Sequence, residues 1–251
     1  MSAYGAIERS WTSRTLRSTI WKAPSRASSD EAEQFVVLFH LTLRDTEQQS
    51  RDGLVAFMHN EFADEIERGQ TYPQETAPGS RYTLDAFTAY FFAADVFVGL
   101  ICASDCLLQA GIDEEKIRVD AVEFLEAEVD FDSIRNGRDW GDCVAGFYYI
   151  KPNYPGRSSH NCNAGFFTSH LQRGKGFATI LAKSYLHYAP QLGYKASVFN
   201  LVYANNQASI RIWDKLGFTR AGLIPKAGRL KKSDGDGEEY VDALVYYKSF
   251  E

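Results

Sequence analysis

The stretch Gln172-Arg173-Gly174-Lys175-Gly176-Phe177-Ala178 limits most strictly what this chain can fold into. It follows the apolar run Asn163-Ala164-Gly165-Phe166-Phe167-Thr168. It opens a segment with apolar residues at Phe177, Ile180, Leu181, Tyr185 and Tyr188. That spacing predicts a helix, and Pro190 and Gly193 are expected to stop it. Residues 196–203 (ASVFNLVY) are apolar, β-branched and aromatic, the signature of a strand. Strand, glycine turn, helix and strand make a βαβ unit, whose right-handed crossover predicts two parallel strands. The small residues at the helix start let a ligand approach the backbone, and the N–H groups and helix dipole there favour negative charge. The fitting guest is a phosphate or pyrophosphate, so a phosphorylated cofactor is expected.

A second helix should follow. Asn205 or Asn206 can cap it, Ala208, Ile212 and Leu216 form its stripe, Gly217 ends it, and Phe218 begins another strand. Upstream, residues 34–44 read as a strand. Residues 54–68 carry a helical stripe of Leu54, Phe57, Met58, Phe62 and Ile66, closed by Gly69. Residues 83–92 read as a further helix, and residues 89–101 are apolar but carry Asp95, which favours a buried strand over a membrane span. Residues 96–102 and 144–150 should be neighbouring antiparallel strands. The charged segment 105–142 between them reads as a surface insertion with one short helix. A polar loop at 231–239 precedes a final strand at 240–250. The expected class is α+β: a mixed, mostly antiparallel sheet flanked by helices and containing the parallel βαβ unit. Residues 31–251 are expected to form one domain, after an irregular tail or first strand at 1–30.

With 251 residues, 45% hydrophobic and 14% aromatic, the chain can bury a sizeable core. A net charge of −6 without a dense Lys/Arg cluster argues against a nucleic-acid partner, and no segment reaches the roughly 20 apolar residues of a membrane span. Cys102, Cys106, Cys143 and Cys162 lack metal-ligand spacing, so no metal is expected; without a secretory signal peptide they are expected to be reduced, in the cytoplasm. Residues 1–29 carry Arg9, Arg14, Arg17, Lys22 and Arg26 against Glu8 and are rich in Ser and Thr. A mitochondrial transit peptide, a solvated tail and a first strand are all compatible with that composition.

Arg173-x-x-Gly176-x-Ala178, Asn206-Gln-Ala-Ser209 and Lys215-Leu-Gly-Phe218 resemble the acetyl-CoA site of the GCN5-related N-acetyltransferase (GNAT) superfamily. The resemblance implies the GNAT fold, acetyl-CoA as cofactor, and a cofactor site comprising Phe167, Thr168, Arg173, Gly174, Lys175, Gly176, Phe177, Ala178, Asn206 and Ser209. Further segments are similar to the fungal L-azetidine-2-carboxylate N-acetyltransferases: Tyr149-Ile-Lys-Pro-Asn-Tyr154, Ser159-His-Asn-Cys-Asn-Ala-Gly-Phe166, Phe199-Asn-Leu-Val202, Ile212-Trp-Asp-Lys-Leu216 and Gly222-Leu-Ile-Pro225. This similarity is dense over residues 143–225 and patchy over 58–94. It implies acetylation of the ring nitrogen of small cyclic imino acids such as azetidine-2-carboxylate, cis-4-hydroxyproline or pyrroline-5-carboxylate. It also implies resistance to toxic proline analogues, tolerance of oxidative stress, and a homodimer. Asn163 and Asn200 are carried over as catalytic residues that hold the substrate, and Leu201 as a backbone contact to its carboxylate. Asn206 is placed at the thiol end of the cofactor.

Acetyl transfer to an amine needs a neutral nitrogen, an aligned attack, donors for the oxyanion and a proton for the departing thiolate. Backbone N–H groups near Phe167 are the expected oxyanion donors. Many GNAT enzymes protonate the thiolate with a tyrosine where this chain has Trp213, leaving Asn206, Tyr203, Tyr247 or water as the acid. Neither motif strand offers a carboxylate base, and His160 is the nearest titratable candidate. Tyr72, Phe87 and Tyr90 are candidates either for walling a small ring or for core packing. Two alternatives share the fold: acetylation of another small amine such as a polyamine, for which the acidic run 123–132 is the candidate groove, and a non-catalytic acyl-CoA sensor.

Overall fold

The computed structural model describes residues 15–24, 33–118 and 123–251. Its strands are β1 (Ser18–Lys22), β2 (Gln34–Leu41), β3 (Asp95–Ala103), β4 (Phe124–Ala127), β5 (Val144–Pro152), β6 (Asn161–Thr168), β7 (Ala196–Tyr203), β8 (Thr219–Lys231) and β9 (Glu238–Ser249). Its helices are α1 (Leu54–Arg68), α2 (Leu84–Phe91), α3 (Ser104–Gln109), α4 (Glu114–Arg118), α5 (Phe131–Arg135), α6 (Trp140–Cys143), α7 (Phe177–Gln191) and α8 (Gln207–Lys215). The strands form one sheet in the order β4-β1-β2-β3-β5-β6-β7-β9-β8. The β6–β7 pair is parallel and the other neighbours are antiparallel, the mixed α+β sheet that the patterning predicts.

Each face of the sheet carries its own core. On one, the apolar stripe of α1 (Leu54, Met58, Phe62, Ile66) and Phe87 and Phe91 of α2 pack on Val96, Val98, Phe147, Tyr149 and Phe167. On the other, Phe177, Ile180, Leu181, Tyr185 and Tyr188 of α7 cover Val36, Leu38, Tyr148 and Ala164. Burying each such side chain contributes roughly 1.5–3 kcal/mol. The buried phenols of α7 are hydrogen-bonded, Tyr185 to Ser197 at 2.6 Å and Tyr188 to the Arg17 carbonyl at 3.0 Å, so neither phenol is left unpaired.

Several local expectations are corrected. The segment 105–142 is more than a surface excursion. It supplies edge strand β4, paired with β1, and Leu107, Phe131, Ile134 and Trp140 lie in the core. The expected stop at Pro190 and Gly193 holds: α7 ends at Gln191, with Pro190 in its last turn and Gly193 (φ 96°) just beyond. The run 89–101 divides between the end of α2 and β3 rather than forming one strand. The fully buried residues of α8 are Ile210 and Trp213; of the expected stripe, Ile212 and Leu216 pack half-buried against the same core and Ala208 is exposed. The final strand begins at Glu238, which leaves 232–237 as the turn. Cys102, Cys143 and Cys162 are buried and, with Cys106, unbridged. Of the 1–29 segment, residues 1–14 and 25–29 lie outside the described residues, and Ser18–Lys22 is a strand. No helix among the described residues is long and apolar enough to cross a membrane.

Candidate active site

The parallel strands make the site. β6 and β7 are in register only at Asn161↔Ala196 and Cys162↔Ser197, and then part. β7 is also bulged between Phe199 and Val202, at Asn200 and Leu201. The Asn153 N–H donates to the Asn161 carbonyl at 2.8 Å, which fixes the alternation along β6. Asn161, Asn163, Gly165 and Phe167 turn their backbone polar groups to β5. Ala164, Phe166 and Thr168 turn theirs into the gap. Of the backbone amides near Phe167, those of Phe166 and Thr168 therefore face the gap, and that of Phe167 itself faces β5. The gap opens into a cleft of about 550 Å³ lined by β6, β7, the turn before α7, the start of α8 and residues of α1 and α2.

At one end lies the glycine turn. Gly174 (φ 76°) and Gly176 (φ 85°) adopt the left-handed backbone that glycine tolerates, and a Cβ on Gly174 would meet nothing within 4 Å. The first-turn amides of α7, Phe177 and Ala178, have no acceptor inside the helix and line the cleft. This is a ready anion cradle, and a pyrophosphate-bearing cofactor fits it.

The two cations of the turn are otherwise engaged. Arg173 Nη2 donates to Glu65 Oε2 at 2.8 Å, and Lys175 Nζ to Gln172 Oε1 at 2.7 Å. Lys175 does not line the cleft, whereas Arg173, Gly174 and Gly176 do. Glu65, on the core-facing side of α1, also accepts from Thr71 Oγ1 at 2.6 Å and pairs with Arg68 at 3.2 Å. Burial by itself would raise its carboxyl pKa. The bonds from Arg173 and Thr71 and the charges of Arg173 and Arg68 outweigh that and hold it below the ordinary range.

At the other end are the amides. Asn163, Asn200 and Leu201 all line the cleft. Asn200 forms a reciprocal amide pair with Asn153, its Nδ2 donating to Oδ1 at 3.0 Å and its Oδ1 accepting from Nδ2 at 3.3 Å. It also accepts from the Tyr154 hydroxyl at 3.1 Å. The pair spans from the end of β5 to β7, across the start of β6. Phe167 and Thr168 line the gap, as do Asn206 and Ser209. Asn206 Oδ1 caps α8 by accepting from Ser209 N at 3.1 Å, and Trp213 Nε1 donates to Ser209 Oγ at 2.9 Å. The Asn206 Nδ2 donors remain for a ligand.

Other candidates sort cleanly. Tyr203 lines the cleft and burial raises its pKa, so at neutral pH it is a protonated hydroxyl. Tyr247 is partly exposed on β9 and is not among the lining residues. The His160 ring bonds to the Arg157 carbonyl and the Asn161 amide outside the cleft, which removes it as a base. Tyr72 and Tyr90 line the cleft, whereas Phe87 is core. Sequence reasoning missed Glu65, a carboxylate inside the apolar stripe of α1, and Asn153, although both are polar residues in patterned segments. Among the described residues no group of three or more His, Cys, Asp or Glu side chains could hold a metal.

Comparison with known proteins places this architecture. The acetyltransferase (GNAT) family model matches residues 106–218. The chain is 42% identical over 186 residues to N-acetyltransferase aca1 of Schizosaccharomyces pombe, covering 74% of this chain and 75% of that protein. It is 29% identical over 210 residues to Protein SPT10 of Saccharomyces cerevisiae, covering 79% of this chain but 31% of SPT10. Among solved structures, a GCN5-related N-acetyltransferase from Kribbella flavida superposes with TM-score 0.56 at 18% identity, over 84% of this chain and 97% of that one. The structure of yncA from Salmonella typhimurium with its cofactor acetyl-CoA gives TM-score 0.54 at 14% identity, over 85% and 94%.

Proposed function

The chain belongs to the GNAT family of acetyltransferases, and on that premise we propose that it uses acetyl-CoA to acetylate the ring nitrogen of small cyclic imino acids. The observation that carries this reading is the presence of two neutral amides, Asn163 and Asn200, among the residues lining the cleft that begins at the glycine turn. A carboxamide can donate to a carboxylate and accept from a ring N–H, which suits a zwitterion better than a fixed charge would. The exposed backbone of the β7 bulge at Leu201 supplies further donors beside them. Tyr72 and Tyr90 offer flat walls for a small ring.

Acetyl-CoA, when bound, supplies an acetyl thioester. The chain's own groups do the rest. The α7 amides and the turn would hold the pyrophosphate, and the gap-facing backbone of β6 and β7 would offer partners to an amide-bearing arm. The amide of Phe166 or Thr168 stabilises charge developing on the carbonyl oxygen. Tyr203 and the Asn206 Nδ2 are the donors near the sulfur. Trp213, an N–H donor without useful acidity, positions Ser209 instead.

The polyamine reading has little to rest on. Within the acidic run, Glu123 pairs with Lys183 and Glu126 with His187, beside the outer edge of the sheet and not in the cleft.

The test is thiol release from acetyl-CoA with azetidine-2-carboxylate, cis-4-hydroxyproline, proline or spermidine as acceptor. Release with the four-membered or hydroxylated ring and little with proline is the expected result. Release with spermidine alone would keep the cofactor and discard the acceptor. Silence with all four would favour a sensor.

A further inference from the structure

The mechanism above leaves one requirement without a residue. A cyclic secondary ammonium must lose a proton before it can attack, and no carboxylate or histidine stands at the amide end of the cleft. Lys151 lies beside that end: it is not itself a lining residue, but its ammonium rests against two rings that are. It lies on β5 directly opposite Asn163 in the antiparallel register, so the two side chains share a face and their Cα atoms lie about 5.5 Å apart. Its Nζ sits 3.9 Å from the ring centroid of Tyr90 and 4.3 Å from that of Tyr149, two rings that line the cleft and whose hydroxyls are joined at 2.7 Å. Among the described residues no carboxylate lies within ion-pairing distance of it.

We propose that Lys151, in its neutral form, is the general base that takes the proton from the acceptor's ring nitrogen. This rests on the acetyltransferase reading and supplies its missing step. The acceptor N–H bond breaks and its proton joins the Nζ lone pair. The freed nitrogen pair forms the N–C bond to the acetyl carbon, and the C–S pair leaves with sulfur. The nitrogen's second proton goes to the thiolate, and Lys151 returns its own to water.

The surroundings support a lysine that can be neutral. Tyr90 from α2 and Tyr149 from its own strand are the titratable groups against it, with Tyr72 behind Tyr90; its partner on β6, Asn163, carries no charge. Glu65 is bound to Arg173, Arg68 and Thr71. Burial alone pushes the Lys151 ammonium down to about 8. The cation–π contacts favour the charged form and oppose that shift, so the pair of rings tunes the group without locking it.

The test is the pH profile of kcat/KM for azetidine-2-carboxylate in wild type, Lys151→Met and Lys151→Arg. Acetyl-CoA-induced thermal stabilisation serves as the folding control. A base predicts an ascending limb near pH 8 that the Met variant loses, with a fall of at least about 100-fold in both variants. Arginine keeps the charge but cannot accept a proton, so an Arg variant within threefold of wild type would show a carboxylate anchor and overturn the inference. So would a limb that persists in Lys151→Met. Independently of any acceptor, the Nζ can be titrated by isotopic reductive methylation, and an ordinary lysine value of about 10.4 would overturn it as well. Transfer by wild type with unaffected Lys151 variants refutes this step alone; no transfer to any amine refutes the acetyltransferase reading and this step with it.

Discussion

Arg173→Ala tests whether the glycine turn is held by charge or merely decorated by it. Glu65 has 6% of its side chain exposed and Arg173 44%. A hydrogen bond to a charged group contributes about 1.5–3 kcal/mol, and the half-exposed guanidinium places this one at the lower end. The expected loss is about 1–2 kcal/mol, or about 2–8 °C in Tm for a chain of this size. The pH dependence has a definite sign. The folded carboxyl of Glu65 is held below 4.5, so its contribution is present above that pH and lost as pH falls through the lowered folded value. The Arg173→Ala deficit should be full at pH 7 and shrink in acid. Urea unfolding of both single variants and the double variant with Glu65→Gln closes the cycle, and the Arg173 change should cost under about 0.5 kcal/mol once Glu65 is neutral. Because the pair ties the turn to α1, KM for acetyl-CoA should rise in both single variants. An equal cost in both backgrounds, or an unchanged cofactor KM, refutes the reasoning.

Two further outcomes are expected. Asn200→Ala removes the cleft amide and orphans Asn153; kcat should fall by about 100-fold or more while acetyl-CoA affinity by calorimetry stays within threefold. Gly146→Ala drives a Cβ into the Phe167 carbonyl oxygen and to 2.7 Å from Leu181 Cδ1; backbone must move, and thermal unfolding should show a loss of about 1–3 kcal/mol.

The elements around the site were legible because their patterns are long and local. The stripes of α1 and α7 and the apolar strands β6 and β7 each declare their period without help from the rest of the chain. β4 was not, because four residues (Phe124-Leu125-Glu126-Ala127) carry no period and become a strand only by pairing with β1. The α8 stripe was legible only in part, because nine residues fit two neighbouring faces: Ile212 and Leu216 pack at the edge of the core whose buried residues are Ile210 and Trp213. Asn163, Asn200 and the turn were placed by motif. Lys151 was missed because a lysine in a strand reads as solvent-facing; its aromatic enclosure depends on Tyr90, 61 residues earlier in sequence. Glu65 was hidden likewise, since its partner lies 108 residues away. Arg173 was read as reaching for a ligand, and only the fold shows that it already has an anion.

The parting of β6 from β7 also bears on how the molecule comes apart. Ladders join β1 through β6 on one side and β7 through β9 on the other, but between β6 and β7 the ladder has two residue pairs, extended at the same end by the Lys195 and Ala196 amides donating to the His160 carbonyl. Cohesion across that seam falls to side chains, chiefly Phe166, Tyr185, Phe199 and Trp213. The sheet is thus two zippers sharing a hinge of aromatic rings, and each can fray as its own unit. A ligand lying in the gap stitches the two together, so occupancy sets not only chemistry but how cooperatively the chain unfolds.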